Sequence, residues 1–164
     1  MNSLSFARLH LRKLTIADSN FVYTLFTNDQ VLASYETAPI ATKEQTIPFI
    51  QHITQPDCFV WLISILPGQQ EIGMCALHHW DKTNRSIEIG GTLLPSYWGQ
   101  GLMTEAFQQL LTFAYTELGI ETIQAKTQTT NKQAIRMASK LGFKKLNKND
   151  SETILVYRAT SLFN

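Results

Sequence analysis

The sequence predicts an α+β fold, with a mostly antiparallel sheet flanked by helices and one βαβ crossover in its middle. Short β-rich segments and segments of helical period follow each other in the order β-α-α-β-β-β-α-β-α-β-β. Pro67-Gly68 separates two β-rich segments, which is typical of an antiparallel hairpin. After Pro95 the apolar residues change to steps of three and four, which indicates a helix that connects two strands.

The first half of the chain is predicted to contain four strands and two helices. The pattern Phe-x-x-Leu-x-Leu-x-x-Leu predicts the first strand, after which Thr15 or Asp18 can cap a helix. At Thr42 the tetrad Thr-Lys-Glu-Gln is a capping box, and Pro48 should bend or interrupt the helix that follows. In chain order, the segments are a strand at 6–14, helices at 17–28 and from 42 to about 55, and strands at 58–66, 71–80 and 85–94.

The second half of the chain alternates helices with strands. Apolar residues recur at helical spacing from Met103 to Leu118, and Gly119 stands where a helix C-cap is expected. Gly142 ends a second helix in the same way. In chain order, the segments are a helix at 101–118, a strand at 122–128, a helix at 131–141, and strands at 143–148 and 153–159.

Chain length, composition and net charge argue against several classes of protein. A chain of 164 residues, 44% apolar and 16% charged, suffices for one core, and we expect residues 1–164 to form a single domain. The formal net charge of +1, without any block of like charges, argues against general nucleic-acid binding. Apolar stretches are shorter than the roughly 18 residues of a membrane helix, and the N-terminus does not resemble a signal peptide. We therefore expect a cytoplasmic protein without a membrane partner.

Cysteines and histidines predict no metal site. Cys58 and Cys75 lie in apolar strand-like segments without a Cys-x-x-Cys pair, so we expect reduced core residues. His78 and His79 are neighbours on a predicted strand. Their side chains should therefore point to opposite faces and cannot hold a metal together.

A glycine-rich turn lies between a predicted strand and the long helix. Gly99-Gln100-Gly101 lets backbone N–H groups converge at a helix N-terminus, where unpaired donors and the helix dipole favour phosphate. A Walker loop is excluded because no Gly-Lys-Ser/Thr tripeptide occurs. A dinucleotide fingerprint is excluded because Thr104 stands in place of its third glycine. A tight connection without a ligand explains the turn equally well.

Several ordered motifs surround this turn: Leu93-Leu94-Pro95-x-x-Trp98-Gly99-Gln100-Gly101-x-x-Thr104-Glu105-Ala106, Asn131-x-x-Ala134 and Lys140-Leu141-Gly142-Phe143. Together they resemble the GNAT superfamily of acetyl-CoA-dependent N-acetyltransferases, and its RimJ/RimL-like branch in particular. The resemblance extends over nearly the whole chain, with the specific motifs confined to residues 87–143. It implies a GNAT-like sheet, acetyl-CoA as the cofactor, and transfer of an acetyl group to a primary amine.

The resemblance also implies which residues bind acetyl-CoA. The loop at 98–104 would wrap the pyrophosphate with backbone N–H groups, and the backbone at Leu93 and Leu94 would pair with pantetheine amides like an added strand. Asn131 would contact the cofactor, although a helix N-cap explains this residue equally well. The loop residues in this set are Trp98, Gly99, Gln100, Gly101, Leu102, Met103 and Thr104.

Three residues depart from the family pattern. Met103 stands where Gly or Ala is usual, and the helical period turns its side chain toward the core. Ala138 stands where many GNAT enzymes carry a tyrosine that protonates the leaving thiolate, and Ala134 where RimJ/RimL relatives often carry a serine. The missing acid keeps a second hypothesis open, in which the domain binds acyl-CoA as a sensor or interaction module without turnover.

Glu88 is the predicted general base. Alternation places Ile87 and Ile89 on one face of the strand and Glu88 on the other, and RimJ/RimL-like sequences commonly carry Glu at this position. A solvated cross-strand charge explains Glu88 equally well. The neighbouring Gly90-Gly91 is either a bulge that opens the sheet or a packing site.

The acceptor amine is constrained by its own pKa. At pH 7, an α-amine of pKa about 7.8 needs roughly 1 kcal/mol to become neutral, whereas a lysine near 10.4 needs roughly 4.6 kcal/mol. With one base and no acid, the favoured acceptors are a protein N-terminus, ribosomal proteins included, or a small-molecule amine. The sequence leaves open whether the protein is a monomer or a homodimer.

Overall fold

The structure is a computed structural model that describes residues 3–35, 38–148 and 151–158. The strands in this part of the chain are β1 (Ser3–Phe6), β2 (Leu9–Lys13), β3 (Phe59–Ile65), β4 (Gln70–Asp81), β5 (Ser86–Leu93), β6 (Thr122–Gln128), β7 (Lys144–Lys148) and β8 (Glu152–Arg158). They form one sheet in the order β1-β2-β3-β4-β5-β6-β8-β7. Of the neighbouring pairs described, only β5 and β6 run parallel. The predicted α+β fold with a central βαβ crossover is confirmed.

Helices cover both faces of this sheet. In the described residues they are α1 (Ser19–Phe26), α2 (Asp29–Leu32), α3 (Thr46–Ile53), α4 (Leu102–Thr116) and α5 (Lys132–Lys140). One core cluster joins α1, α2 and α3 to one face of the sheet. A second cluster joins α4 and α5 to the other face, where Ile87 and Ile89 lie. Because strand residues alternate, Glu88 lies on the face of α1 to α3.

None of the described helices is both long enough and apolar enough to cross a membrane.

The single strand predicted at 6–14 is wrong, because β1 and β2 form an antiparallel hairpin that turns at Ala7 and Arg8. Contacts with distant residues fix this turn. The backbone N–H and Nε of Arg8 donate to the Glu105 carboxylate at 3.1 and 2.9 Å, and its Nη1 donates to the Gln100 carbonyl at 3.1 Å. Since no Gly, Pro or Asn marks the turn, the local sequence does not indicate it.

The helix predicted at 17–28 is shorter, and another helix follows it. A 3-10 turn at Ile16–Asp18 precedes α1, and α1 ends at Phe26. Asn28 then caps α2, because its Oδ1 accepts hydrogen bonds from the N–H groups of Gln30 and Val31 at 3.1 and 3.2 Å. The predicted helix therefore extends to the residue that caps α2, and α2 itself was not predicted.

The capping box at Thr42 is confirmed, whereas the interruption expected at Pro48 is wrong. The Thr42 N–H donates to Oε1 of Gln45 at 3.2 Å. Pro48 is the third residue of α3, where a backbone N–H has no intrahelical partner. A proline therefore fits in this first turn without breaking the helix.

Both cysteines are free, as predicted, and they differ in burial. Cys75 is buried, and this burial raises the pKa of its thiol. Cys58 is only half-buried, so the expected core position is confirmed for Cys75 alone.

Asp18 is a buried carboxylate at the start of α1. It accepts hydrogen bonds from both Nη atoms of Arg12 at 2.9 and 2.6 Å and from the Thr15 N–H at 2.8 Å. Burial alone would raise the pKa of Asp18, but the hydrogen bonds from Arg12 and Thr15 outweigh it and lower the pKa. Asp18 is therefore ionised across the neutral range.

We expect Asp18→Ala to lower the free energy of unfolding by about 2–3 kcal/mol at pH 7, which is about 5–10 °C in Tm. The change removes the carboxylate that pairs with Arg12 and that accepts the hydrogen bond from the Thr15 N–H. A lowered carboxyl pKa stabilises the fold only while the group is ionised. The difference from wild type should therefore be present above about pH 4 and disappear as the pH falls through the folded pKa of Asp18.

Urea unfolding at neutral and acid pH measures this difference. Asp57→Ala is the control, because Asp57 pairs with Lys82 while both side chains remain 63% and 65% exposed. Such an exposed pair contributes at most about 1 kcal/mol. Equal losses for the two variants at pH 7 would contradict the role given to Asp18.

Candidate active site

The parallel strands β5 and β6 pair over a short length only. Their pairing covers three residue pairs, from Ser86–Thr122 to Glu88–Gln124, although β5 continues to Leu93. Beyond Glu88, β5 pairs with β4 and β6 pairs with β8. The sheet therefore opens between β5 and β6, and we call this opening the split. Glu88 lies at its apex.

The loop after β5 leads to a helix N-terminus without a side-chain cap. Gly99 and Gly101 have φ of +72° and +76°, a left-handed conformation that glycine adopts without strain. Gly101 is the N-cap of α4, so the N–H groups of Leu102, Met103 and Thr104 have no intrahelical acceptor. A Cβ on Gly99 would meet no atom within 4 Å, so the space beside the loop is open. Donors, helix dipole and space together fit a phosphate group.

The side chains of Trp98 and Gln100 hold this loop rather than extend from it. Trp98 Nε1 donates to the Leu93 carbonyl at 2.7 Å, and Gln100 Nε2 donates to the Ser96 carbonyl at 2.9 Å. The backbone of the loop is thus fixed in the conformation that exposes its N–H groups.

The two leucines before the loop differ in what their backbones can do. The Leu94 N–H donates to the Ile72 carbonyl at 2.8 Å, inside the sheet. Because antiparallel pairing alternates along a strand, the backbone of Leu93 is directed to the opposite side, toward the split. Pairing with an extended cofactor arm at this point would therefore involve the N–H of Leu93, whose carbonyl already accepts from Trp98 Nε1, and not the N–H of Leu94.

Arg8 is a site residue that the sequence did not indicate. It connects the β1–β2 turn to Glu105 in the first turn of α4, 97 positions away, and to the Gln100 carbonyl in the loop. Its side chain is 49% exposed, and Nη2 lies 3.7 Å from the position of a Cβ on Gly101. The guanidinium of Arg8 therefore lies beside the candidate phosphate site, where it is paired with Glu105.

Gly90 and Gly91 make room for side chains on opposite faces of β5. A Cβ on Gly91 would lie 3.0 Å from Sδ and Cε of Met103, so Met103 packs on the sheet as the helical period predicts. A Cβ on Gly90 would lie 3.5 Å from Nε2 of His78. The register between β4 and β5 runs through both glycines without a shift. Packing is thus the correct explanation for this pair, and a bulge is not.

Glu88 is paired and mostly buried, so the solvated-charge explanation does not fit. Its side chain is 19% exposed, Oε1 accepts a hydrogen bond from Lys126 Nζ at 2.7 Å, and Oε2 lies 3.3 Å from Nδ1 of His79. Burial would raise the pKa of Glu88, but the hydrogen bonds and charges of Lys126 and His79 outweigh it and lower the pKa. Glu88 is therefore ionised at neutral pH.

The expectation that His78 and His79 point to opposite faces is wrong. His79 has a φ of +53°, and the β4–β5 register shifts between His78 and Asp81, so alternation breaks at this point. The two Nδ1 atoms lie 3.1 Å apart. Burial is the main cause that lowers the pKa of His78, which is therefore neutral at pH 7. The two side chains do not point apart, so their orientation no longer excludes a metal ion shared by His78 and His79.

Tyr35 brings a phenol to the same face of β5, and the sequence did not indicate it. Its hydroxyl is hydrogen-bonded to Thr92, which shares the face of Glu88, and its ring packs edge-on against Phe26 at 5.7 Å. Burial raises the pKa of Tyr35 more than the bond to Thr92 lowers it, so the phenol is protonated at neutral pH. From the sequence, Glu36 could line a substrate mouth, although a loop charge explains it equally well; Glu36 lies outside the described residues.

Asn131 caps α5, as one of its two explanations predicts. Its Oδ1 accepts a hydrogen bond from the Ala134 N–H at 3.0 Å. Because β5 and β6 are parallel, α4 and α5 begin at the same edge of the sheet, so Asn131 lies at the edge where the loop lies. Its contact with a cofactor stays a prediction.

Comparison with known proteins gives a family match and two partial sequence similarities. A family model described as the acetyltransferase (GNAT) domain matches residues 8–144. The chain is 28% identical over 142 residues to the "Uncharacterized N-acetyltransferase YoaA" of Bacillus subtilis (strain 168), a match that covers 84% of this chain and 80% of YoaA. It is 31% identical over 71 residues to the "Putative ribosomal N-acetyltransferase YdaF" of the same organism, covering 43% of this chain and 39% of YdaF.

The fold is similar to that of solved acetyltransferases. A crystal structure of spermidine N-acetyltransferase from Vibrio cholerae in complex with CoA and spermine aligns with a TM-score of 0.84. The alignment covers 95% of this chain and 98% of that chain at 18% identity. At this identity the likeness concerns the fold.

Proposed function

The chain belongs to the GNAT acetyltransferase family, and from that premise we propose that it transfers the acetyl group of acetyl-CoA to a primary amine, which attacks the thioester directly. The observation that carries the proposal is the position of Glu88. This ionised carboxylate lies at the apex of the split, on the strand that leads into the loop before α4.

The loop residues fit the phosphates of acetyl-CoA, which supplies the activated acetyl group. We assign the pyrophosphate to the uncapped N–H groups at the start of α4 and to the loop at 98–104. The guanidinium of Arg8, which is paired with Glu105, lies beside this loop and donates to the Gln100 carbonyl. The backbone of Leu93 lines the split and would pair with the pantetheine arm, and Asn131 would contact the cofactor at the same edge.

Glu88 would accept the proton of the attacking amine, directly or through a water. Lys126 holds Oε1, which leaves Oε2 as the oxygen directed to the histidines. Because the pKa of Glu88 is lowered, it is a weak base, and it suits an amine that loses its proton easily. An α-amine of pKa about 7.8 meets this condition better than a lysine near 10.4.

Tyr35 is the proton donor that the face of Glu88 offers to the leaving thiolate. Its phenol is protonated at neutral pH and hydrogen-bonded to Thr92, four residues after Glu88 on β5. Tyr35 would thus replace the acid that is missing at Ala134 and Ala138.

The acceptor that we favour is the α-amine of a protein, of the RimJ/RimL type. The Trp98-Gly99-Gln100-Gly101 and Thr104-Glu105-Ala106 motifs support this choice, and so does the partial similarity to YdaF. A ribosomal protein as acceptor would also agree with the expected cytoplasmic location. A small-molecule amine is the second choice, supported by the likeness in fold to a spermidine N-acetyltransferase.

A catalytically inactive acyl-CoA sensor is the second candidate function. Ala134 and Ala138 favour it, because neither can donate a proton to the leaving thiolate. The two functions differ in one observable, since a sensor binds the cofactor but releases no thiol.

We expect acetyl-CoA at about 100 times its Kd to raise Tm by about 5–10 °C, and NAD or ATP to raise it much less. A panel of amines, including N-terminal peptides and polyamines, should then release CoA thiol and yield acetylated product. Equal shifts with ATP would contradict the cofactor site. A shift without thiol release from any amine would favour the sensor.

A further inference from the structure

Three electron-pair donors converge at the apex of the split. The Nδ1 atoms of His78 and His79 are 3.1 Å apart, and Nδ1 of His79 is 3.3 Å from Oε2 of Glu88. One ligand atom from each of the three residues lies within 4.8 Å of the others. Nδ1 of His79 carries at most one hydrogen, so it cannot donate fully both to Nδ1 of His78 and to Oε2 of Glu88. A cation that accepts electron pairs satisfies all three atoms together.

The separations match the edges of a metal coordination shell. With metal–ligand distances of about 2.0–2.2 Å, neighbouring ligands lie about 3.3–3.6 Å apart in a tetrahedral shell and about 2.8–3.1 Å apart in an octahedral one. Of the two separations measured through His79, 3.1 Å fits an octahedral edge and 3.3 Å a tetrahedral one. Two imidazoles and one carboxylate, with a position left for water, suit Zn²⁺ and related transition metals. Mg²⁺ and Ca²⁺ prefer oxygen ligands alone.

The surroundings orient the ligands and leave the site accessible. Lys126 binds Oε1 of Glu88 at 2.7 Å, which directs Oε2 to the imidazoles in the manner of an outer-shell partner. The left-handed backbone of His79 brings its ring to the side of His78. The His79 side chain is 71% exposed, so an ion can enter from solvent. The charge of Lys126 opposes a cation, and we therefore expect reversible binding.

We propose that His78, His79 and Glu88 form a site for a divalent transition metal of the zinc class, and that the bound metal inhibits acetyl transfer. The inhibition follows because the metal would occupy the carboxylate that accepts the proton of the amine. Metal binding rests on the geometry alone, whereas the inhibition rests on the proposed function.

Titration of the metal-free, untagged protein with Co²⁺ tests the binding. We expect visible d–d absorption that saturates at one ion per chain, is displaced by Zn²⁺ and is unaffected by Mg²⁺. His79→Asn should weaken the affinity by at least about 10–100-fold, because asparagine tolerates the left-handed backbone but is too short to replace the imidazole. Glu88→Gln should weaken it to a similar extent. His52→Ala, at an exposed histidine of α3, should bind as wild type does.

Two results would overturn the proposed metal site: no Co²⁺ absorption from wild type at millimolar metal, or wild-type affinity for Co²⁺ in both His79→Asn and Glu88→Gln. Thermal unfolding of the metal-free variants shows whether they are folded, and if His79→Asn is not, His78→Gln takes its place beside Glu88→Gln.

Inhibition is measured by mass spectrometry of the acetylated amine, because the CoA thiol itself binds zinc. Zn²⁺ should inhibit wild type, and a chelator should restore its activity. Equal inhibition of His79→Asn would overturn the regulatory part. If metal-free protein acetylates no amine, the proposed function fails, while the Co²⁺ titration still decides the metal site.

Discussion

Glu88→Gln is expected to lower turnover by about 10²–10⁴-fold and to leave the affinity for acetyl-CoA nearly unchanged. Glutamine retains the shape of the side chain and an oxygen for the bond from Lys126, but it cannot take up the proton of the amine. The loss should shrink as the pH rises, because more of the amine is then already neutral. The lowered pKa of Glu88 places its own titration below this range.

Steady-state rates from about pH 6 to 9 measure this effect, with an α-amine of pKa near 7.8 as acceptor. Glu121→Gln is the matched control, since Glu121 is a 59% exposed glutamate that pairs with Arg85 away from the split. A loss of the same size at every pH would assign Glu88 to positioning of the substrate. Full activity of Glu88→Gln would remove Glu88 from the mechanism.

Gly101→Asp is expected to weaken acetyl-CoA binding by about 10–100-fold, because its carboxylate would lie at the helix N-terminus to which we assign the phosphates. Asp and Asn both tolerate the φ of +76°. A Cβ at this position meets Arg8 Nη2 at 3.7 Å, an ordinary contact, so both variants should fold.

Gly101→Asn separates charge from bulk, since it has the same shape as Asp without its charge. Isothermal titration with CoA should show a small loss for Asn and a much larger one for Asp. Asp18→Ala, which lies outside this site, should retain the wild-type affinity wherever it is folded. Unchanged affinity of Gly101→Asp would mean that the phosphates bind elsewhere.

Local sequence patterns correctly predicted the features of the fold that depend on residues close to each other in the sequence. The capping box at Thr42 depends on groups three residues apart, and the packing of Met103 on the sheet depends on helical period alone. Strand alternation is also a local pattern, and it correctly placed Glu88 on the opposite face of β5 from Ile87 and Ile89. These features need no information from distant parts of the chain.

The rest depends on contacts that no local pattern contains. The turn at Arg8 is stabilised by Glu105, 97 positions away. The local sequence therefore predicted one strand where the structure has a hairpin. The left-handed conformation of His79 contradicts the alternation that a strand pattern implies, and it needs support from Glu88 on the neighbouring strand. The candidate site therefore gained Arg8, Tyr35 and both histidines only when the strands were brought together.

The split also has a consequence for the association of this protein with other chains. An unpaired strand edge at the rim of a sheet is a template for other chains and promotes aggregation. Here a length of unpaired edge lies in the interior of the sheet instead, with β4 and β5 on one side and β6 and β8 on the other. Because strands of the same sheet lie on both sides of it, this edge is not an outer edge of the sheet. The split therefore leaves backbone groups unpaired for the proposed cofactor arm without adding an outer edge at which another chain could pair.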